Sequence, residues 1–334
     1  MVQQFLAIAR NAFAEATRQP IYLVMMLVGT LMLVLGPALS TYTLQDDNKI
    51  LVDMGLSTLF LSGLLLAAFT ATGVVSTELE NRTVLTVISK PVARPIFVLG
   101  KYAGVSAALA LGFWTLTLVF LLTVRHKVMQ RAADPFDVPV ILFGSLAGVL
   151  ALAGATLANI FYRWVFTGTF VFALAATTTV AVGLVLVIDK NWQFQPIMTD
   201  LNLQLLTVLL LVFEAVLILT AVAIACSTRL GQIMTLLVCA AVYLLGLIGH
   251  HFDQQLAILI ADMHESLLHQ IVFWVLKGFF LLVPNLQYLW HADALLAEHP
   301  ISAVHLLVLT SYSLLYIGAI LSVAIGLFQS RQVG

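Results

Sequence analysis

Two patterns in the chain resemble catalytic motifs, but neither has the spacing that catalysis requires. The string from His264 to His269 contains a His-Glu pair, yet zinc metalloproteases use HExxH, whose two histidines share one helical face. Here five residues separate the histidines, which turns the rings apart by roughly 140° on a helix. Gly100-Lys101 is followed by Tyr102 and lacks the upstream glycine of a P-loop. We therefore expect no catalytic residue, metal or cofactor on this chain.

The cysteines and histidines do not form a nucleophilic pair. Cys226 and Cys239 lie in apolar runs without CxxC spacing, which indicates neither a disulfide nor a metal cluster. A serine or cysteine mechanism lacks a base, because every histidine maps to the predicted outer side, away from Cys226. This set could sense pH or contact a metal, or it could fill interfacial positions. Its members are His126, His250, His251, His264, His269, His291, His299 and His305.

Glu214 is the single charge deep within an apolar run, and we predict a candidate intramembrane polar site there. A carboxylate at that depth costs about 2.5–3.5 kcal/mol, so we expect it to face the bundle interior, protonated or paired with hydroxyls or a cation. It could line a substrate path or pair two helices. In a proton- or ion-coupled secondary transporter Glu214 would be the proton site, although no inverted repeat with paired broken helices is visible.

The composition is that of a membrane protein. Hydrophobic residues make up 61% of the 334 residues, charged residues make up 9%, and the mean hydropathy is +1.05. Soluble domains have about 45–50% apolar and about 25% charged residues. The net charge of -1 and the absence of a basic patch argue against nucleic acid as a partner.

Apolar runs long enough to cross a bilayer, about 20 residues, recur along the chain. Because a backbone in lipid must satisfy its own hydrogen bonds, such long uniform runs predict helices rather than barrel strands. The predicted fold class is an all-α polytopic membrane protein with about eight transmembrane helices. The runs are Ile21 to Ser40, Leu51 to Val75, Phe97 to Val124, Val138 to Phe161, Trp164 to Ile188, Leu205 to Cys226, Ile233 to Ile248 and Ala303 to Phe328.

Residues Val2 to Arg18 predict an amphipathic helix ahead of the first span. Such a helix is expected to lie along the membrane surface, and Pro20 marks the turn into the membrane. A cleaved secretory signal is disfavoured, because the apolar run from Ile21 exceeds the usual core of about 7–15 residues. The apolar face consists of Phe5, Ile8, Ala9, Ala12, Phe13 and Ala16.

A polar interruption at residues 76–95, between two very apolar segments, predicts a short cytosolic helix. Thr77 followed by Glu80 fits a capping box at a helix start, and Pro91 provides a stop. A helix from about Glu78 to Ser89 is too short to be stable without a surface on which to pack. A solvated loop on the headgroups is the alternative. The apolar stripe of the helix would consist of Val84, Leu85 and Ile88.

Basic residues indicate a cytosolic N-terminus, because cations accumulate on the cytosolic side of membrane proteins. This orientation places about nine cations inside and six outside, where most acidic residues also lie. Arg125, Lys127 and Arg131 go against the rule.

Ser266 to Val283 is nearly long enough to cross but contains His269, Gln270 and Lys277. We predict an outer re-entrant hairpin before the last span, closed by Pro284-Asn285, with Lys277 reaching the headgroups. A crossing version would give nine helices and move the C-terminus outside.

The order of these features resembles the permease subunit of ABC-2 type transporters. The similarity rests on the first helix with Phe13, Glu15 and Arg18, on Glu78-x-Glu80-x-x-Thr83, on Ser89-Lys90-Pro91-Val92-x-Arg94 and on Gly100-Lys101. The turn from Cys226 to Gly231 and the string Leu282-Val283-Pro284-Asn285 are similar to the C-terminal half of that family. The chain departs from six-span members by an extra hairpin, Val138 to Ile188, and by Arg82, where a small residue is frequent.

In that family an elbow helix precedes the first span, and the first cytosolic loop is a coupling helix that docks on a separate ATPase. The resemblance implies a non-catalytic permease that exports a substrate across the bacterial cytoplasmic membrane as a homo- or heterodimer. Two ATPase subunits would bind ATP and Mg. The implied coupling residues are Glu78, Glu80, Arg82, Thr83, Val84, Leu85, Ile88, Lys90 and Arg94.

The resemblance also implies a single transmembrane permease domain over residues 1–334. Its parts are the elbow helix (1–19), two spans (21–75), the coupling loop (76–95), spans three to seven (97–248), an outer loop with re-entrant helices (249–302) and the last span (303–328). The alternatives are a secondary transporter and, more remotely, an intramembrane enzyme.

Overall fold

The computed structural model describes residues 1–40, 47–80, 93–129, 136–261, 271, 274–275, 277–278, 282–296 and 300–329, with only the backbone at 47, 76–80 and 250–261. The described chain is helical apart from turns, short 3-10 segments and one isolated bridge between Ile188 and Phe194. The α-helices are α1 Val2–Arg18, α2 Pro20–Ser40, α3 Asp47–Glu80, α4 Arg94–His126, α5 Val138–Tyr162, α6 Phe166–Val187, α7 Leu203–Ser227, α8 Gln232–Ala261, α9 Ala292–Leu296 and α10 Ala303–Gln329.

Eight of the described helices, α2 to α8 and α10, are long and apolar enough to cross a membrane. This result confirms the predicted all-α, multi-pass character of the chain. The most buried span, α7, packs against α3, α4, α8 and α10. It is apolar over most of its surface, with Glu214 as its one charged residue, as expected for a helix surrounded by other helices. Its start is fixed by Asn202, whose Oδ1 accepts hydrogen bonds from the amides of Gln204 and Leu205.

The two spans predicted between Val138 and Ile188 form an antiparallel hairpin, α5 and α6. Asp137 caps α5 by accepting a hydrogen bond from the Val140 amide. Arg163 ends α5 in the left-handed conformation, with φ 54°, and the Asn159 side-chain amide donates to the Trp164 carbonyl at 2.7 Å. A tight turn at Arg163 therefore joins the two spans of this hairpin.

The predicted amphipathic helix is present as α1, and its apolar face packs against protein. Its main neighbour is α4, with smaller contacts to α6, α3 and α2. Ala12 and Ala16 are fully buried, while Phe5, Ile8, Ala9 and Phe13 are half-buried. Phe13 also contacts Phe172 in α6, with ring centroids 5.9 Å apart. The helix is thus joined to the bundle along the face that the sequence pattern predicted.

One predicted helix boundary is wrong. α3 continues without a break through Glu80, so Thr77 does not stand at a helix start as a capping box requires. No glycine or proline interrupts the chain between Gly73 and Pro91, and the glutamates and leucine in this stretch favour helix. α8 continues through Ala261, and its candidate membrane span, Gln232 to Gly249, agrees with the apolar run predicted from Ile233 to Ile248. Most of the predicted re-entrant segment, 266–283, lies outside the described residues.

The helix ends gather at two opposite ends of the bundle. One, which we name the basic end, contains Arg18, Arg94, Arg163 and Arg229. Hydrogen bonds join its parts: Thr167 donates to the Arg18 carbonyl at 2.9 Å, and Arg229 donates to the Leu327 carbonyl at 2.8 Å. At the opposite end the Val128 amide donates to Asn48 Oδ1 at 3.1 Å. These contacts bring helix ends that are far apart in the sequence together at each end of the bundle.

Candidate functional site

The candidate site is at the basic end, where α3 and α4 flank residues 81–92. Those residues lie outside the described part of the chain, and with them the predicted coupling residues Arg82, Thr83, Val84, Leu85, Ile88 and Lys90. Glu78 and Glu80 belong to the last turn of α3, and Arg94 is the first residue of α4. The described part of the site is therefore the frame on either side of residues 81–92.

Lys101 is at the centre of this frame. Its side chain is only 2% exposed, and its Nζ lies 3.4 Å from Glu15 Oε2 in α1. The same ammonium donates to the Val74 carbonyl in α3 at 3.2 Å and lies 5.8 Å from the centroid of the Phe97 ring in α4. A buried cation requires such partners, because its desolvation is costly. Lys101 therefore connects α1, α3 and α4 at one point.

Two glycines beside Lys101 allow α1 to approach the backbone of α4. A Cβ on Gly104 would lie 2.3 Å from the Ala9 carbonyl oxygen and 2.6 Å from the Ala12 Cβ. A Cβ on Gly100 would lie 2.8 Å from Ile8 Cγ2. Small residues four apart on one helical face permit this kind of close helix contact. The glycines thus bring Glu15 within reach of Lys101.

The first turn of α4 also holds the last turn of α10. The Arg94 guanidinium donates to the Gln329 carbonyl, and the rings of Phe97 and Phe328 stack with centroids 5.3 Å apart. Arg229, in the turn after α7, donates to the neighbouring Leu327 carbonyl. Cations are favourable at a helix C-terminus, where carbonyls lack partners within the helix. The predicted coupling residue Arg94 therefore has a described structural contact.

Glu214 has the pairing with hydroxyls that was one of the predicted options. It is 7% exposed in α7, and its oxygens accept hydrogen bonds from Thr310 Oγ1 at 2.8 Å and Ser313 Oγ at 2.9 Å, both in α10. Both carboxylate oxygens are thus engaged by one neighbouring helix. This arrangement fits the pairing of two helices better than a carboxylate that is open to a substrate path.

At the opposite end of the bundle Arg125 forms a polar cluster. Its side chain is 9% exposed, and it lies 3.4 Å from Asp137 and 3.0 Å from Asp200. It also donates to the Val185 carbonyl and, at 2.7 Å, to the Ile188 carbonyl at the end of α6. Two carboxylates and two carbonyls explain why this cation is tolerated on the predicted outer side.

A cavity of about 720 Å³ lies beside this cluster, between α3, α4, α6, α7 and the turn at 199–202. Its charged lining includes Lys49, Arg125, Lys127 and Asp200. The cavity is wide and mixed in charge, and Arg125 is already paired there. It provides a recess of mixed polarity without the convergent set of like groups that would define a ligand.

His291 and His305 form a pair at the same end. Their Nε2 atoms are 3.2 Å apart, and the pair joins the residue before α9 to the first turn of α10. Burial and the neighbouring His305 hold the pKa of His291 below its ordinary value of 6.5. Among the described residues no group of three or more His, Cys, Asp or Glu is placed to hold a metal ion. The other predicted outer histidines except His126 have no described side chains.

Sequence reasoning did not identify Lys101 as a central residue, because the charge count treated it as an ordinary inner cation. The signal that could have found it is the glycine pair at Gly100 and Gly104, together with Glu15, the only acidic residue of α1. Arg125 was noted as an exception to the charge rule, but its carboxylate partners were not identified.

The fold and the frame define a multi-pass α-helical membrane protein whose N-terminal helix is joined to its third span by an ion pair with a buried lysine. No family model matches this chain, and no curated protein matches it either.

Proposed function

We propose that this chain is the membrane-spanning permease subunit of an ABC-2 type transporter. In this proposal a separate ATPase hydrolyses ATP, and the chain couples that hydrolysis to export of a substrate across the bacterial cytoplasmic membrane. The supporting observation is the Lys101 frame, in which one buried cation contacts α1, α3 and α4. α3 and α4 flank residues 81–92, and α1 is the helix that precedes the first span.

Such a frame suits the transmission of force. α3 and α4 are continuous helices of 34 and 33 residues, so a push on the loop between them would move each as a rigid rod. α1 would move with them, because it is packed onto α4 through Gly100 and Gly104. Both rods contact α7 at the centre of the bundle, which would carry the displacement toward α10.

The proposed partners follow from this mechanism. ATP and Mg would bind to two ATPase subunits at the basic end, which would face the cytosol. The predicted surface for the ATPase is the loop containing Leu85, with Glu78, Glu80 and Arg94 at its margins. A second permease, identical or related, would complete the transporter within the membrane.

The test uses the full-length chain expressed with its ATPase. The Leu85→Glu variant is compared with Phe194→Glu, a control at the opposite end, where Phe194 is 88% exposed. We expect vanadate-sensitive ATP hydrolysis to copurify with the parent and the control, and to be lost from the Leu85→Glu variant. Both variants should retain the parent elution profile in detergent. Equal ATP hydrolysis in all three, or none with the parent, would overturn the proposal.

A further inference from the structure

A separate groove opens sideways from the half of the bundle that lies away from the basic end. It is a cavity of about 390 Å³ between α2, α4, α5 and α6, and we name it the side groove. Thr30 and Gly148 line its deep part, and Pro37, His126 and Val140 line it near the helix ends. From Thr30 to Pro37 the rise along α2 is about 11 Å at about 1.5 Å per residue. This depth fits within one leaflet, which is half of a hydrocarbon core of about 30 Å.

The walls of the side groove present mainly carbon. The hydroxyls of Thr123, Ser145 and Thr178 donate to carbonyls of their own helices at 2.7, 3.1 and 2.7 Å. Within the described part of the chain only the Thr30 hydroxyl among the lining hydroxyls is buried without a partner. Water needs two to four polar partners to remain in a cavity, so the groove favours an apolar occupant.

The end of the side groove nearest the membrane surface is different, because it contains His126. The Nδ1 atom of His126 is buried without a hydrogen-bond partner among the described residues, and the ring stacks on Phe136. A neutral imidazole can donate a hydrogen bond from one ring nitrogen and accept one at the other. At the last residue of a span, it is placed at the depth of lipid ester and headgroup oxygens. The groove therefore combines an apolar channel, with the Thr30 hydroxyl in its deep part, and an unsatisfied imidazole nitrogen at its surface end.

The exposure of the residues at the opening of the side groove indicates which molecules can enter it. Val34 and Ile141 line the side groove and are 56% and 48% exposed, so the opening faces the surrounding bilayer. Lipid chains are the solvent there, and an empty groove would lose dispersion contacts along all its walls. Gly144 and Gly148 supply the room, and a Cβ on Gly148 would meet no atom within 4 Å.

We infer that the side groove binds one acyl chain of a phospholipid from the leaflet at that end, with the ester region of the lipid at His126. The inference requires only that the helices span a bilayer, so it does not depend on the transport proposal. The binding energy comes from packing and from one hydrogen bond, because the chain leaves one hydrocarbon environment for another.

The test places the full-length protein in phosphatidylcholine nanodiscs that contain a trace of phosphatidylcholine with a diazirine on one acyl chain. After illumination, mass spectrometry locates the labelled peptides. We expect labels on the facing walls of α4 and α5 near Leu122 and Gly144. The Gly148→Leu variant should lose them, because leucine fills the deep part of the groove. Gly154→Leu on the same helix is the matched control, since its Cβ also meets no atom within 4 Å and the residue does not line the groove.

The outcomes separate the possible occupants. Equal labelling of Gly148→Leu and Gly154→Leu, with thermal stabilities unchanged, would overturn the inference. Protein-to-protein crosslinks through the groove would also overturn it in favour of a second copy, and loss of label on adding free fatty acid alone would show a fatty-acid site instead. His126→Phe should keep the label on α5 but reduce the phosphatidylcholine retained in native mass spectra. Retention equal to the parent would refute the role of His126.

Discussion

Lys101 and Glu15 form an ion pair of unequal burial: Nζ lies 3.4 Å from Oε2, but the lysine side chain is 2% exposed and the glutamate side chain 30%. The cation is therefore the desolvated partner, and the carboxylate retains contact with the surface. This inequality determines which of the two substitutions is the more damaging.

We expect Glu15→Gln to destabilise the protein more than Lys101→Met. The first change takes a carboxylate away from a buried ammonium, and breaking a buried pair in this way costs about 3–5 kcal/mol. The second removes the buried charge and leaves a side chain of similar volume, which costs less than about 1.5 kcal/mol. Thermal unfolding in detergent measures both. The double variant should recover most of the loss of Glu15→Gln, and equal losses in the two single variants would contradict this prediction.

The glycine contact between α1 and α4 gives a second, matched pair of variants. Gly104→Ala forces a Cβ to within 2.3 Å of the Ala9 carbonyl oxygen, whereas Gly183→Ala in α6 meets no atom within 4 Å. Alanine favours helix over glycine by about 1 kcal/mol, so Gly183→Ala should be neutral or stabilising. Gly104→Ala should lower the free energy of unfolding by about 1–3 kcal/mol, because the added Cβ overpacks the contact. It should also raise the rate of amide hydrogen exchange in α1. Similar unfolding temperatures and exchange in both variants would show that α1 is not held by this contact.

Much of the fold could be predicted because its signals are local. The length of the apolar runs gave the spans, and the 3.6-residue pattern from Phe5 to Ala16 gave the buried face of α1. The end of α3 was mispredicted because Thr77 and Glu80 have the spacing of a capping box, which a continuous helix can also contain. Whether such a pair caps or continues a helix depends on the backbone before it.

The site was only partly predictable, because burial of a charge is a tertiary property. Lys101 follows apolar neighbours and resembles any lysine near a membrane surface. Its burial arises when α1 covers it, and that depends on the small size of Gly100 and Gly104. The need of Glu214 for polar partners was easier to predict, since a carboxylate far inside a span must find partners whichever helix supplies them. The sequence did not identify Thr310 and Ser313 as those partners.

Glu214 distinguishes a helix-pairing role from proton coupling. The Glu214→Gln variant keeps hydrogen-bonding atoms for Thr310 and Ser313, so we expect a small change in thermal stability and unchanged ATP hydrolysis by the copurified complex. Thr310→Val and Ser313→Ala should each cost about 0.6 kcal/mol, the average for hydrogen bonds between membrane helices. A secondary transporter would give a different result. Transport by the parent would then depend on a proton gradient and not respond to ATP, and Glu214→Gln would lose transport while keeping the stability of the parent.

The His291 and His305 pair predicts that acid loosens the contact between α9 and α10. Because burial and His305 lower the pKa of His291 in the folded protein, the unfolded chain binds more protons as the pH falls through 6.5. Stability from this group is therefore present above pH 6.5 and declines as the pH falls below it. The unfolding temperature measured between about pH 5 and pH 8 should drop on the acid side, within the range in which histidine titrates. His291→Gln and His305→Gln should each flatten that slope. A parent protein with no slope, or a slope retained in both variants, would assign the acid response to other groups.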